Sequence, residues 1–444
     1  MKKLFVLLSF LAYITCNAAQ PVVKTGIEVL RDRGFEGLVG RKVGLVTNPS
    51  GVDRDLKSTI DILHSAPGVE LVALYGPEHG VRGDMYAGDK VDNSVDAATG
   101  LPVYSLYGAT RKPTPDMLDG IEVMVYDIQD VGVRSYTFIS TLGLVMTACA
   151  EKGIEVMVLD RPNPLGGNKI EGCCVEPDFY TFVSQYEIPY VYGLTVGELA
   201  ELINEEGLNK GQKGNQEHLK CKLTVIPMEG WTRDMVYEDT GLPWVLPSPN
   251  IPFSDSPMYY ASSGICGELY GFMDIGIGYT LPFQVFGALW LDPVRLKAKL
   301  ETYEMPGVAF RTIWYKPFSG SRKGQLVKGL QYFFTDYEKA RITEVQFMVM
   351  QAVAELYPDK KAFDVVTGIG LFDKVCGTDF IRTEFSKRYR FDDIVKRWRE
   401  DEEDFRRLSK KYHIYPSKDS HALKRVAGSP EDRSRTLNPG LLSA

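Results

Sequence analysis

The sequence predicts an α/β protein with a doubly wound parallel sheet in a larger domain and a second, smaller α+β domain at the C-terminal end. Between residue 22 and about residue 170, short runs of Val, Leu, Ile and Met alternate with amphipathic stretches. These runs are apolar nearly throughout, which is typical of strands covered on both faces. From about residue 285, β-like stretches alternate with long helical patterns instead. A length of 444 residues suits two or three domains.

The first 19 residues have the order of a secretory signal peptide. Lys2 and Lys3 precede the apolar run 4–14, and small residues follow before position 20. The run is shorter than the roughly 20 residues that a membrane-spanning helix needs. We therefore expect an exported protein with no membrane span, located in the periplasm. Cys16 leaves a lipoprotein as the alternative.

Composition excludes several classes of function. The formal net charge is −7, which argues against a nucleic-acid partner, because such binding is driven by a basic surface. The cysteines show neither a CxxC motif nor metal-ligand spacing. No phosphate loop and no HExxH motif occur, and residues 276–278 hold only half of a dinucleotide fingerprint. We therefore expect no dinucleotide cofactor and no histidine-rich metal site.

Five strands are predicted in the larger domain, and each is followed by a helix or a shaped loop. The strands are 42–47, 69–75, 101–106, 122–127 and 155–160. The helices are 56–64, 114–118, 136–152 and 195–206. The last helix starts with a capping box, Thr195 with Glu198 three residues later. Four prolines make residues 241–253 a shaped loop.

The smaller domain has its own pattern of elements. Its β-like stretches are 307–315 and 329–336, and its helices are 337–357 and 392–412. The polar residues from 416 onward lack periodicity. The predicted division is a signal peptide at 1–19, a catalytic domain at 20–285, an auxiliary domain at 286–415 and a mobile tail at 416–444.

Polar side chains follow four of the five predicted strands. In chain order they are Asn48 after the first strand, Glu78 and His79 after the second, Asp127 and Asp130 after the fourth, and Asp160, Arg161 and Asn163 after the fifth, with Arg82 and Arg134 close behind. In open α/β sheets, ligands bind outside the carboxyl ends of the strands. We therefore expect these side chains to converge on one site.

Paired carboxylates at such a site suit glycoside hydrolysis. That reaction needs an acid at the leaving oxygen and a second group at the sugar carbon. Glu78 lies beside His79, which could tune its pKa, and aromatic residues such as Tyr136 could stack on a sugar. A structural reading stays open for each residue: Glu78 and the aspartates as caps of turns and helices, and Arg134 and Arg161 as members of ion pairs.

Long motifs identify a resemblance. They are VGLVTNPSGVD (43–53), GPEHGVRGD (76–84), LPVYSLYG (101–108), RKPTPDML (111–118), YDIQDVGVRSYTFISTL (126–142), LDRPNPLGG (159–167), LTVGELA (194–200) and GLPWVLPSPN (241–250). Together they resemble the exo-β-N-acetylmuramidase family, which is glycoside hydrolase family 171 and was formerly domain of unknown function 1343. The motifs occur in order over about residues 25–290.

The resemblance implies a Rossmann-like catalytic domain that releases N-acetylmuramic acid from the non-reducing end of peptidoglycan-derived sugars, without a cofactor. It implies Glu78 as the catalytic acid/base, with His79 and Asp127 as further catalytic residues. The substrate-binding residues that it implies are Asn48, Arg82, Asp130, Arg134, Tyr136, Asp160, Arg161, Asn163, Asn250 and Glu268. Muramic acid carries a lactyl carboxylate, which gives arginines a reason to be there.

Two segments depart from the family pattern. Val191 and Tyr192 stand where the family has Arg-His, and residues 268–284 keep Glu268 but lack two arginines and an acid. Two alternatives therefore stay open. One is an inactive glycan-binding protein of the same fold. The other is a metal-assisted hydrolase that uses Glu78, His79, Asp127 and Asp130.

Overall fold

The computed structural model describes residues 22–83, 94–208, 219–366 and 368–417. The predicted signal peptide at 1–19 lies outside the described residues. So does the predicted tail, apart from its first two positions, 416 and 417.

A seven-stranded sheet forms the first part of the chain. Its strands are β1 (Lys42–Thr47), β2 (Glu70–Gly76), β3 (Ser94–Val95), β4 (Pro102–Ser105), β5 (Val123–Asp127), β6 (Glu155–Leu159) and β7 (Leu223–Ile226). In space the order is β3-β4-β2-β1-β5-β6-β7, and only the short edge strand β3 pairs antiparallel. All five predicted strands are confirmed within one residue at either end. The predicted α/β class with a Rossmann-like sheet is also confirmed.

The strand order places a binding crevice. The chain moves outward from β1 through β2 to β4, then returns to β5 on the other side of β1 and continues to β6 and β7. This reversal between β1 and β5 is the topological switch point, where ligands of such sheets bind. Loops that follow β1, β2, β4 and β5 therefore meet at one edge.

Helices cover both faces of this sheet. On one face, α1 (Gly26–Asp32) and α2 (Thr59–His64) share an apolar cluster with strand residues such as Leu45. On the other face, α3 (Phe138–Lys152) and α4 (Val196–Glu206) pack against alternate strand residues such as Val46. The predicted capping box of α4 is confirmed: Thr195 accepts from the Glu198 amide at 3.2 Å, and Glu198 accepts from the Thr195 amide at 3.1 Å.

The C-terminal part is a smaller α+β unit. Its helices are α5 (Ser256–Gly267), α6 (Pro293–Leu300), α7 (Val345–Leu356), α8 (Ala362–Val365), α9 (Gly370–Cys376), α10 (Phe380–Arg388) and α11 (Asp392–Ser409). Its antiparallel sheet has the order β8 (Val285–Ala288), β10 (Val327–Phe334), β9 (Val308–Tyr315). The helix predicted at 337–357 begins later, because residues 337–339 form a turn and Ile342–Glu344 is a 3₁₀ helix.

Further single 3₁₀ turns connect these elements, at Asp116–Leu118, Pro177–Phe179, Tyr237–Thr240, Pro358–Lys360 and Lys410–Tyr412. The first of them occupies the place of the helix predicted at 114–118. Among the helices that the structure describes, none is both long and apolar enough to cross a membrane.

The two parts share one apolar core. Val131 and Val133, which follow β5, belong to the same buried cluster as Phe272, Phe286 and Phe347 of the C-terminal part. The loops at the carboxyl edge of the large sheet are therefore held against the second unit. A site between them has walls from both.

Candidate active site

A cavity of about 330 Å³ lies at the carboxyl edge of the large sheet. Its walls come from the loops after β2, β4 and β5, from the proline-rich loop, and from the C-terminal unit. The described lining residues are Glu78, His79, Tyr107, Arg111, Ser135, Tyr136, Thr137, Phe138, Phe182, Val183, Ser248, Asn250, Ile251, Tyr260 and Phe283.

The turn after β2 presents Glu78 to this cavity. The Gly80 amide donates to the Pro77 carbonyl at 3.0 Å, which closes the turn. His79 has a φ of 76°, in the left-handed region that residues other than glycine rarely adopt. Such strained positions cluster at functional sites, where the surrounding structure enforces them. Glu78 is half-buried and His79 is buried.

Tyr107 is the neighbour of Glu78. β4 lies beside β2 with Ser105 opposite Gly76, and the Leu106 amide donates to the Gly76 carbonyl at 2.8 Å. Residues two positions beyond each strand end are therefore neighbours, and Tyr107 and Glu78 line the same cavity. Burial raises the pKa of Tyr107 to about 12, and the Glu78 carboxylate adds to the effect.

Arg111 lies further along the same loop. Its guanidinium carbon is 4.2 Å from the centroid of the Phe182 ring, within the range of a cation–π contact. The side chain is exposed. Among the described residues that line the cavity, Arg111 is the only lysine or arginine and Glu78 is the only one with a carboxyl group.

Aromatic rings form one wall. Tyr136 packs edge-on against Phe138 with ring centroids 4.9 Å apart and against Tyr260 at 5.8 Å, and Tyr260 meets Phe283 at 4.9 Å. The Tyr260 hydroxyl is 2.9 Å from the Ser135 hydroxyl. Burial raises the pKa of Tyr260, and the Glu268, Asp130 and Glu78 charges all act on it. A wall of rings carrying hydroxyl groups is suited to a sugar, which has apolar faces and polar edges.

Four of the predicted site residues line the cavity: Glu78, His79, Tyr136 and Asn250. The remaining nine lie elsewhere among the described residues. Their predicted roles stay untested. Several of them form hydrogen bonds or ion pairs with other protein groups, which favours a structural role over substrate binding.

Asp127 and Arg161 form a buried ion pair with each other. The Arg161 Nε and Nη2 atoms donate to the two Asp127 oxygens at 2.5 and 3.0 Å, and the Thr59 hydroxyl donates to the same carboxylate. Arg161 Nη2 also donates to the Val52 carbonyl at 2.8 Å. Because both carboxylate oxygens are taken, this position favours a scaffolding role for Asp127 over the predicted catalytic one.

Arg134 is buried and forms hydrogen bonds with both parts of the chain. Its guanidinium donates to Ser184 and to four backbone carbonyls, those of Cys173, Ile188, Val375 and Cys376, at 2.5–3.1 Å. The last two carbonyls belong to α9. Burial lowers the pKa of Arg134. All of its donor groups are used, so none is left for a ligand.

Asp160 caps α4. Its oxygens accept from the amides of Arg161 and Gly197 at 3.0 and 2.8 Å, and from the hydroxyls of Thr195 and Tyr415 at 2.7 and 2.5 Å. Burial raises the pKa of Asp160 to about 7, although these hydrogen bonds oppose that rise. The predicted ligand-facing acid is thus a helix cap.

Asn48 and Asn163 order the loops in which they lie. Asn48 accepts from the Ser50 amide at 3.0 Å and donates to the Pro247 carbonyl at 3.3 Å. Asn163 accepts from the Leu165 amide and donates to the Leu194 carbonyl, each at 2.9 Å. Each side-chain amide links two loops at the carboxyl edge of the sheet. Neither Asn48 nor Asn163 lines the cavity.

Arg82 pairs with carboxylates outside the cavity. It donates to Asp96 at 2.7 Å and to Asp61 at 3.2 Å. These bonds hold the pKa of Asp96 at about 2, mainly through the Arg82 hydrogen bond. Arg82 is therefore engaged in a structural ion pair.

Asp130 and Glu268 are buried carboxyls close to the aromatic wall. One oxygen of Asp130 accepts from the Gly132 amide at 2.8 Å and from the Tyr192 hydroxyl, whereas the buried Oδ1 has no hydrogen-bond partner among the described residues. Burial raises the pKa of Asp130 to about 6 and that of Glu268 to about 7. Both carboxyls can therefore hold a proton near neutral pH.

The described residues contain no group of three or more His, Cys, Asp or Glu side chains placed to hold a metal ion. The four residues of the metal-assisted alternative are also divided, since Glu78 and His79 line the cavity while Asp127 and Asp130 are bonded outside it.

Comparisons with known proteins agree along the chain. A family model for the N-terminal domain of exo-beta-N-acetylmuramidase NamZ matches residues 43–255, and one for its C-terminal domain matches residues 258–415. The chain is 42% identical over 399 residues to the peptidoglycan beta-N-acetylmuramidase NamZ of Bacillus subtilis (strain 168), covering 90% of this chain and 93% of that protein.

Two crystal structures of DUF1343 family proteins from Bacteroides fragilis NCTC 9343 are also similar. One is 52% identical with a TM-score of 0.83, covering 88% of this chain and 99% of that one. The other is 27% identical with a TM-score of 0.70, covering 89% and 99%.

Proposed function

Because the chain belongs to the exo-β-N-acetylmuramidase family, we propose that it is an exo-acting glycosidase in which Glu78 is the catalytic acid/base. Its substrate is the N-acetylmuramic acid at the non-reducing end of peptidoglycan-derived glycans. The observation that carries the assignment of Glu78 is its position. It is the one carboxyl group among the described residues of the cavity wall, on a turn held in a strained conformation.

The geometry around Glu78 suits proton transfer to a glycosidic oxygen. The acid protonates the glycosidic oxygen, so that the part of the glycan attached through that oxygen can leave. The carboxyl group of the acid must therefore lie within hydrogen-bond distance of the glycosidic oxygen. Tyr107 lines the cavity beside Glu78, with its hydroxyl group on the same wall. The ring wall around Tyr136 and Tyr260 gives the sugar an apolar surface to stack on.

The size of the cavity fits a terminal sugar. Ligand pockets span about 300–1,000 Å³, and this one, at about 330 Å³, lies at the small end of that range. A cavity of this size accommodates one end of a glycan rather than a long stretch of it, which supports an exo-acting enzyme.

Hydrolysis of a chromogenic β-N-acetylmuraminide tests the proposal, with the corresponding N-acetylglucosaminide as control. We expect muraminide-selective turnover by the parent protein. In Glu78→Gln we expect a loss of at least about a hundredfold in kcat, the usual scale of general acid catalysis, with ligand binding retained. Binding of N-acetylmuramic acid without turnover by the parent would instead establish the glycan-binding alternative. Glu78→Gln activity within a few-fold of the parent would remove Glu78 from the mechanism.

Export to the periplasm is part of the proposal. It is supported by the charged, apolar and small-residue segments in positions 1–19, which lie outside the described residues. The mass of the mature N-terminus from a periplasmic fraction tests it, because cleavage near residue 19 and lipidation at Cys16 give different masses.

A further inference from the structure

We propose that Arg111 binds the lactyl carboxylate of the terminal muramic acid and thereby determines the selectivity for muramic acid over glucosamine. This inference rests on the proposed function. The two sugars differ in the lactyl ether, which muramic acid carries on the oxygen at C3, so a cation that binds this carboxylate separates them.

The other arginines expected at the site are already engaged. Arg134 donates to Ser184 and four carbonyls, Arg161 is paired with Asp127, and Arg82 is paired with Asp96 and Asp61. Arg111, by contrast, has no ion pair or hydrogen bond with any other described residue. It is also the only lysine or arginine among the described residues of the cavity wall.

Arg111 lines the same cavity as Glu78. Tyr107, on the same loop as Arg111, responds to both charges, because Glu78 raises the pKa of its hydroxyl and Arg111 lowers it. Glu78 and Arg111 therefore lie close together in this cavity. The glycosidic bond at C1 and the lactyl group at C3 belong to one ring, so an acid for the first and a cation for the second must share a cavity.

The Phe182 ring prepares the guanidinium for a carboxylate. A ring 4.2 Å from the guanidinium carbon supports one side of that group. The contact uses the π face of the ring and leaves the N–H groups of the arginine free. A guanidinium binds a carboxylate through two parallel N–H···O bonds, whereas a lysine offers only a point charge.

Steady-state kinetics on three substrates test the inference: the β-N-acetylmuraminide, the β-N-acetylglucosaminide, and a muraminide whose lactyl carboxyl is a primary amide. For Arg111→Ala we expect kcat/KM on the muraminide to fall about ten- to a hundredfold, the scale of a hydrogen bond to a charged group, through KM. The same variant should stay within about twofold of the parent on the glucosaminide and on the amide. Arg111→Lys should recover part of the loss.

The neighbouring residue supplies a matched control. Lys112→Ala removes a positive charge, as Arg111→Ala does. Lys112, however, donates from Nζ to Glu151 on α3 at 2.8 Å and does not line the cavity. We expect its kinetics to match those of the parent on all three substrates.

Several results would overturn the inference. An Arg111→Ala loss of equal size on all substrates would mean a structural role, and an unchanged KM on the muraminide would mean that another group binds the carboxylate. If the parent protein hydrolysed neither the muraminide nor the glucosaminide, the proposed function would be refuted instead. Calorimetry would then decide on Arg111: a preference for N-acetylmuramic acid over N-acetylglucosamine that Arg111→Ala abolishes supports it, and absence of such a preference in the parent refutes it.

Discussion

Replacing Asp127 by asparagine should destabilise the fold without abolishing catalysis. Asp127 is fully buried and Arg161 is 4% exposed. Asparagine keeps one oxygen that can accept from the Arg161 guanidinium. In place of the second carboxylate oxygen it has an NH₂ group, which faces the Arg161 Nη2 and Thr59 hydroxyl donors and cannot accept from them. Removing one partner of a buried ion pair costs about 3–5 kcal/mol. Because asparagine retains one acceptor, we expect the low end, about 3 kcal/mol.

Thermal unfolding followed by circular dichroism measures this effect. For domains of about 150–250 residues, 1 kcal/mol corresponds to about 2–4 °C in Tm, so Asp127→Asn should lower Tm by about 6–12 °C. At 20 °C, where the variant stays folded, kcat on the muraminide should remain within about threefold of the parent. A matched control is Asp61→Asn, since the Asp61 carboxylate is 45% exposed and pairs with Arg82 at 3.2 Å. It should cost less than about 1 kcal/mol.

A second variant separates charge from shape. Asp127→Asn combined with Arg161→Met removes both charges, and pairs replaced by apolar groups often regain stability. We expect the double variant to recover part of the lost Tm. The reasoning fails if Asp127→Asn melts within about 2 °C of the parent while kcat falls more than about a hundredfold. That result would give Asp127 the catalytic role that the sequence predicts.

Two further predictions concern groups at and beside the cavity. Tyr107→Phe removes the hydroxyl group beside Glu78, which can donate to the carboxyl group during proton transfer, and should lower kcat about tenfold with KM little changed; an unchanged kcat would show that Glu78 needs no such partner. Asp130 has a pKa of about 6 against an ordinary 3.8, so its contribution to stability is full below about pH 4 and is lost as the pH rises through about 6. Asp130→Asn removes this dependence, so the free energy of unfolding of the variant, measured relative to that of the parent, should rise by about 2 kcal/mol from pH 4 to pH 7. Melting curves at pH 4, 5.5 and 7 check this, and a constant difference would contradict it.

The fold was predictable because its strands carry an unambiguous signal. Val123–Asp127 and Glu155–Leu159 are buried at every position, so their sequences are apolar without alternation and read as central parallel strands. The unpredicted strand β7 (Leu223–Ile226) is only partly buried at three of four positions. An edge strand of four residues has too little apolar sequence to stand out from a loop.

The site was predictable as a location, but only four of the thirteen predicted residues line the cavity. The rule for parallel sheets specifies the edge at which a ligand binds, but not which side chains at that edge face it. Asp160 and Asn163 come directly after β6, yet their polar atoms bond to loop and helix amides. Buried loops need such partners for their backbone groups, so a polar residue at a strand end has two possible uses. The choice between them depends on tertiary contacts that no local pattern encodes.

The same rule, applied to every strand, points to the residues that were missed. The third predicted strand ends without an acid or an amide, so its loop contributed nothing to the predicted site. Tyr107 and Arg111 lie on that loop, beside Glu78, because β4 is the neighbour of β2 in the sheet. The predicted site contains arginines only where they follow a strand end with an acid or an amide, so it contains neither Tyr107 nor Arg111.

The departures from the family pattern can be weighed in the same way. Tyr192 is buried with its hydroxyl on Asp130, and Val191 is bridged to Val133 and Glu171. In the segment 268–284, Leu281 packs against the small cluster around Val285 and Tyr315. The departures from the family pattern are at Val191, Tyr192, Ile277, Leu281 and Gln284, and none of these residues lines the described part of the cavity. The described wall that holds Glu78 and Arg111 therefore contains none of the altered positions. For that reason the substrate class of the family is the expectation for this chain.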